Sequence, residues 1–176
     1  MNELLESTRA HLDGGEEVPA VFPHPIAFNV LPHIGDFDAA GESTEERKMR
    51  DETRRLLELP GLPVSAFCVR VPVLRGHSEA IWASFAAAPE PERARDLLRQ
   101  AGVVVEDDPS ARGYPLPRRA AGRMEVFVGR IRSDASDPRG LVLWVVSDNL
   151  LKGAAANAVQ IAQALGARGL LGRAVR

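Results

Sequence analysis

Apolar and polar positions alternate along this chain in two rhythms, one helical and one extended. Residues 44–59, TEERKMRDETRRLLEL, are the clearest helix, with Met49, Leu56 and Leu57 on one stripe and Pro60-Gly61 as the stop. Ser43 followed three residues later by Glu46 forms a capping box at its start. Residues 2–13 read as a helix with Leu4, Leu5 and Leu12 near one face, halted by Gly14-Gly15. Residues 149–165 read as another, with Leu151, Ala155, Ala158, Val159, Ala162 and Leu165 on one stripe, and a shorter helix falls at 91–100. Period-two alternation predicts strands near 64–75, 79–87 and 126–133, the last with Val126, Val128, Arg130 and Arg132 opposite Phe127, Gly129 and Ile131. The nearly continuous apolar run at 141–146 predicts a strand covered on both faces. Short strands are expected at 26–30 and 103–105, and the Pro/Gly-rich stretch 106–123 is a polar connection.

These elements predict an α+β domain with a mixed, largely antiparallel sheet. The strands near 64–75, 79–87, 126–133 and 141–147 build it, the helices at 44–59 and 90–100 cover one face, and the other face is left to pair with a second copy across a two-fold axis.

Composition narrows the functional classes. A chain of 176 residues with 45% hydrophobic and 26% charged residues is an ordinary globular sequence with enough length for one sizeable core. Its net charge of −2 gives no electrostatic reason to expect nucleic acid or an anionic membrane as partner. No apolar run is long enough to span a membrane, and residues 1–20 lack the basic start and apolar centre of a signal peptide. The single cysteine, Cys68, cannot form an internal disulfide, which fits a reducing cytoplasm. His11, His24, His33 and His77 show no metal-ligand spacing, so no metal is expected.

Candidate chemistry concentrates in CVRVPVLRGHS, residues 68–78. Arg70 lies within the predicted strand and the stretch ends in Arg75-Gly76-His77-Ser78. A fixed cation near a group that titrates around neutral pH suits an acidic substrate and a proton transfer. Taken singly, Arg70 reads as a surface or salt-bridged arginine, and His77 as a strand-end hydrogen-bond donor. Seven residues separate the two, an odd number, so a regular strand would point them to opposite faces. They can open toward one cleft only if Pro72 or the Arg75-Gly76 step breaks the alternation.

CVRVPVLRGHS resembles the signature segment of the aspartate-β-semialdehyde dehydrogenase family, in the domain that binds substrate and forms the dimer. FPHPIAFNVLPHIGDF, TEERKMRDETRRLL, VFVGRIRSD and WVVSDNLLKGAAANAVQIAQAL are similar to further segments of that family in the same order, so the resemblance runs from about Glu3 to Leu165. It implies a fold like the C-terminal domain of glyceraldehyde-3-phosphate dehydrogenase. The complete enzyme would reductively dephosphorylate L-aspartyl-4-phosphate to aspartate semialdehyde with NADPH, in the biosynthesis of lysine, threonine and methionine. By the same resemblance His77 is the acid–base group, Arg70 holds the substrate carboxylate, Glu46 meets the amino group and Lys48 the acyl phosphate or inorganic phosphate. Asp148 and Asn149 stand in the D-N-L-x-K-G-A segment, whose Asn lies near the nicotinamide; Leu151 replaces the Arg expected there. On the residues alone, Glu46 is a cap and Lys48 a solvated helix position.

The family's chemistry also needs a dinucleotide fold and a nucleophilic cysteine. No Gly-rich strand-to-helix turn appears in this sequence. Cys68 matches a non-catalytic position, and nine residues of strand would hold it roughly 30 Å from His77, against the about 3 Å that a thiol–imidazole pair requires. The resemblance therefore implies a substrate-binding and dimerising half, with an N-terminal helix and linker at 1–24, the domain proper at 25–147 and a returning helix plus tail at 148–176. Alone, it is expected to form homodimers, to bind NADP weakly or not at all and to be inactive. Two other readings stand beside this one: a non-catalytic dimerisation module or inactive paralogue, and a relative of N-acetyl-γ-glutamyl-phosphate reductase.

Overall fold

The computed structural model describes residues 2–170, which divide between Leu74 and Arg75 into two compact units. In the first, helix α1 (Asn2–Leu12) turns Leu4 and Ser7 inward. Leu4 packs with Ile26, Ala27 and Leu31, and Phe22 lies against them. Leu5 and Leu12, predicted for the same face, are exposed. The polar side of α1 anchors the proline-rich segment. The Glu3 carboxylate accepts the N–H groups of Ala20, Val21 and Phe22 at 3.2, 2.7 and 3.2 Å, and Ser7 Oγ donates to Glu17. A long stretch with almost no regular structure is thus pinned by side chains, as such segments must be to stay ordered.

Helix α2 (Thr44–Leu56) starts at the predicted capping box. Its predicted apolar stripe is not buried: Met49, Leu56 and Leu57 are exposed, and Glu46 is the helix's one buried residue. Ion pairs Arg47–Asp38 at 2.8 Å and Arg50–Glu42 at 2.7 Å hold the helix to the loop before it. It ends three residues earlier than predicted, because Glu58 turns left-handed at φ 56°.

Two predicted strands are absent. Residues 26–30 make a turn with Phe28 at φ 53°, and only Leu31 pairs, with Arg70. Residues 64–75 alternate in exposure along much of their length, yet apart from Arg70 they join no ladder. Pro72 removes a donor and sits inside a tight turn closed by Val73 N–H donating to Val71 C=O at 2.7 Å. Alternation alone does not make a strand; a neighbour must offer a free edge.

The second unit is built on a four-stranded sheet ordered β1-β4-β3-β2. Strands β1 (His77–Ser84), β3 (Val126–Ser133) and β4 (Gly140–Ser147) are antiparallel, and the two-residue β2 (Val104–Val105) adds in parallel to β3. The mixed, largely antiparallel α+β architecture is the one expected. Helices α3 (Pro91–Gln100) and α4 (Pro117–Ala120) complete it, with Ala120 packed on Phe127 and Val146 in the core. Trp144 reaches the same cluster and donates its Nε1–H to the Pro115 carbonyl at 3.0 Å. Gly129 is obligatory there, since a Cβ would lie 2.1 Å from the Glu106 carbonyl oxygen.

The expected alternation of β3 fails at Arg130, a bulge residue at φ 55°. β2 ends before this point, and a side-chain pair takes its place. Asp107 Oδ2 accepts the Ile131 N–H at 3.1 Å, while Arg95 donates to the Ile131 carbonyl at 2.6 Å and pairs with Asp107 at 2.7 Å.

The predicted helix 149–165 is also interrupted. Residues Leu151–Ala155 form a π-helical segment with Ala154 at φ −134°, ψ −105°, and helix α5 (Ala156–Ala167) follows. Gly153 weakens the first turn. Of the predicted stripe little is buried: Val159 and Leu165 are exposed, as is Ile161, and Ala156 is the buried residue of α5. Part of the predicted tail, residues 171–176, lies outside the described residues.

Candidate functional site

The candidate residues are distributed over both units. In the first, Glu46 occupies the third position of α2 with 6% of its surface exposed. Oε2 accepts the Ser43 N–H at 2.7 Å and closes the capping box, while Oε1 accepts the Cys68 N–H at 2.9 Å. The Cys68 N–H, then that of Ser43, hold its pKa below the ordinary glutamate value against the opposing effect of burial. The side chain is therefore an ionised brace between the helix start and the segment that carries Arg70. A carboxylate has about four lone-pair sites, so the two bonds leave acceptor capacity.

Lys48, two residues on, points its ammonium at Glu45 3.1 Å away, on an exposed helix surface. The Glu45 hydrogen bond and charge raise its pKa, so it is a permanent cation at neutral pH. Arg70 is fixed through its backbone: its N–H donates to Leu31 C=O at 2.8 Å, and its C=O accepts from Leu31 N–H at 2.9 Å. The guanidinium lies 5.3 Å above the Phe22 ring, a stacking contact that orients the planar group while its edge stays exposed.

In the second unit His77 opens the edge strand β1 opposite Ser147, the last residue of β4. Its ring is exposed. Gly76 before it adopts φ 100°, where a Cβ would crowd the Ser147 carbonyl oxygen at 3.3 Å. The backbone irregularity required between Arg70 and His77 is thus present, at the turn around Pro72 and again at Gly76.

Asp148 comes directly after Ser147 and is fully buried. Oδ2 accepts the Gly122 N–H at 2.6 Å and lies 2.7 Å from Arg75 Nε, while Oδ1 accepts the Leu150 N–H at 3.0 Å. Arg75 Nε lies close to Oδ2 without meeting hydrogen-bond geometry, so the contact is an ion pair. Burial works to raise the Asp148 pKa; the Gly122 N–H, Arg75 and the Leu150 N–H outweigh it and bring the carboxyl below its ordinary value. Its backbone carbonyl accepts from Leu151 and Lys152, starting the π-helical segment. Both carboxylate oxygens and the backbone carbonyl of Asp148 are engaged inside the protein, and none of its surface is exposed to face a ligand. Asn149, half-buried in the turn before that segment, is the member of the pair that can.

Arg75 and Gly122 were not singled out by the sequence. Arg75 lay within the signature stretch, but nothing local identified Asp148, 73 positions later, as its partner. Among the described residues no cluster of His, Cys, Asp or Glu could hold a metal ion, and no helix is long and apolar enough to cross a membrane.

Comparison with known proteins gives these positions a context. The family model for the semialdehyde dehydrogenase dimerisation domain matches residues 1–152. An aspartate-semialdehyde dehydrogenase from Aquifex aeolicus is 49% identical over 97% of this chain and 51% of its own length. A crystal structure of aspartate semialdehyde dehydrogenase II from Vibrio cholerae, complexed with ASA, is 40% identical over 94% of this chain and 49% of that one, with a TM-score of 0.89. The aspartate semialdehyde dehydrogenase from Candida albicans, solved with NADP, is 32% identical over 87% of this chain and 48% of that one, with a TM-score of 0.64. The chain spans about half the length of the curated relatives it matches.

Proposed function

We infer, for a chain that belongs to the semialdehyde dehydrogenase dimerisation-domain family, that it supplies the substrate-binding and dimerising half of an NADP-dependent aspartate-semialdehyde dehydrogenase. The observation that carries this is the placement of His77: an exposed imidazole at the lip of an edge strand, aimed by a left-handed glycine and set opposite the Ser147-Asp148-Asn149 corner. The reaction is the reductive dephosphorylation of L-aspartyl-4-phosphate, with aspartate semialdehyde and inorganic phosphate as products. Relatives named as aspartate-semialdehyde dehydrogenases support this substrate over an N-acetyl-γ-glutamyl phosphate. A cytoplasmic setting suits the substrate, the cofactor and the lone cysteine.

Each residue has a role its surroundings allow. His77 shuttles the proton of the reacting oxygen, as its exposure permits. Arg70 binds the substrate α-carboxylate as a two-pronged fork, an orientation that lysine cannot copy. Glu46, kept ionised by two backbone N–H groups, attracts the substrate ammonium. Lys48 exchanges Glu45 for phosphate oxygens. NADPH, when bound, supplies the hydride. Of the two residues expected near it, Asn149 fits as a partner for the carboxamide, whereas Asp148 supports Asn149 from within. Cys68 gives its N–H to Glu46 and belongs to that brace; the nucleophilic thiol is assigned to the nucleotide-binding half.

The test is turnover of aspartate semialdehyde, phosphate and NADP by this chain joined to the nucleotide-binding half of the Aquifex aeolicus relative. Activity that disappears with His77→Asn supports the reading. Turnover unchanged by that substitution, or full activity from the 176-residue chain by itself, overturns it.

A further inference from the structure

His77 and Asn149 come from different elements, yet the residues that fix them are bonded to each other. Arg75 stands two residues before His77, and Asp148 immediately precedes Asn149. The ladder pairs His77 with Ser147, and just beyond it the Arg75 side chain lies 2.7 Å from Asp148. Gly76, at φ 100° with the Ser147 carbonyl oxygen 3.3 Å from where a Cβ would lie, makes any side chain strained and crowded between these two links. A ladder pair and an ion pair therefore clamp the same corner from two sides.

Stability is a poor explanation for such a pair. A fully buried carboxylate is costly to desolvate, and well-packed apolar residues often serve as well or better. A charge pair adds something apolar packing lacks, which is a single permitted register. Slippage of β1 by one residue would turn the His77 ring to the opposite face of the sheet. Asp148 also fixes the three residues after Asn149: its side chain holds the Leu150 N–H, and its carbonyl holds those of Leu151 and Lys152. The Gly122 N–H ties the corner to the turn after α4.

We propose that Arg75 and Asp148 are positioning residues, a half-buried ionic clamp that sets the His77 ring and the Asn149 side chain relative to one another. The clamp touches neither substrate nor cofactor. The inference rests on the reading of His77 and Asn149 as working groups, but its structural core can be tested with no substrate present.

The measurement is NMR on the full chain, following the His77 ring and the Asn149 side-chain amide, with assignments from His77→Asn and Asn149→Ser. Arg75→Gln is the primary variant, because Arg75 is partly exposed and its loss leaves no large void. The expected result is that both signals lose order together, and that exchange of the Gly122 and Leu150 amides rises roughly tenfold or more. The Leu143 amide in the middle of β4 should stay within about twofold of the parent. Arg75→Lys, which keeps the charge, should restore most of the order at both positions. Asp148→Asn should reproduce Arg75→Gln, and the double variant should be no worse than either single one.

A folded Arg75→Gln protein with both signals unchanged overturns the inference, as does a change confined to one of them. So does a uniform rise in exchange through β4, because the pair would then serve stability alone. Unfolding of Asp148→Asn leaves the Arg75 variants to decide. If the clamp behaves as described while His77→Asn leaves turnover of the joined protein unchanged, the assignment of His77 fails and the clamp stands.

Discussion

The Glu46 carboxylate accepts the backbone N–H of Cys68 at 2.9 Å, joining the first turn of α2 to the segment that carries Arg70. The same carboxylate closes the capping box with Ser43. Helix initiation and placement of the Arg70 segment therefore depend on one side chain. Ser43→Ala should cost about 1 kcal/mol in urea unfolding, the usual cost of a lost cap. Glu46→Ala should in addition expose the Cys68 amide to rapid hydrogen exchange, which Ser43→Ala should affect far less. Equal exchange at Cys68 in the two variants would show that the Glu46 carboxylate gives that amide no protection beyond the cap.

Asp148 gives the pH dependence its direction. Its folded pKa is depressed, so the stability it contributes is present above its unfolded value of about 3.9 and is lost as pH falls through the lower folded value. Asp148→Asn should therefore narrow the gap to the parent protein in acid and leave it widest at neutral pH. Denaturant midpoints taken at several pH values down to about 3 would reveal this; a gap that widened in acid would reverse the sign of the argument.

Gly129 and Gly61 make a matched pair of tests. A methyl group at Gly129 meets the Glu106 carbonyl at 2.1 Å and Pro115 at 2.7 Å, whereas nothing lies within 4 Å of one at Gly61. Gly129→Ala should destabilise by about 1–3 kcal/mol or more through overpacking. Gly61→Ala should stay within about 0.5 kcal/mol of the parent. Thermal unfolding of the two variants side by side is sufficient.

In the protein joined to its nucleotide-binding half, Arg70→Lys should raise KM for the semialdehyde and leave kcat comparatively intact. His77→Asn should lower kcat by roughly two to four orders of magnitude, the range of general acid–base contributions. Steady-state kinetics would show the opposite pattern if the two roles were exchanged.

Helix α5 should be the more labile of the two long elements near the end of the chain. It buries Ala156 and exposes Val159, Ile161 and Leu165, while β4 is flanked on both sides by strands. Amide exchange at 156–167 should be at least about tenfold faster than at 141–146. Equal protection would mean that a partner covers the helix.

Legibility in the sequence followed the range of the interactions. The α2 cap needs only Ser43 and Glu46, three residues apart, and β4 is an apolar run; both were readable. The stretch 64–75 showed a true alternation, but ladder membership depends on a neighbour's free edge, which no local pattern encodes. Arg130 looked like an ordinary strand position because the pair that bends the strand there, Arg95 and Asp107, lies more than 20 residues away. Arg70 and His77 stood out within the stretch 68–78, whereas Glu46, Lys48, Asp148 and Asn149 were named only through the family resemblance of other segments. That Asp148 is fully buried and Asn149 only half-buried depends on packing, which the motif does not carry.

The Arg95–Asp107 pair at Ile131 has a consequence for assembly. By satisfying both the N–H and the C=O of that residue, it denies an incoming chain the outer flank of β3. Two-residue β2 offers little beyond it. At the opposite side of the sheet β1 is the other edge strand, eight residues long. Backbone pairing through this sheet therefore has one long flank to use, and two copies joined edge to edge along it would use up that flank on both.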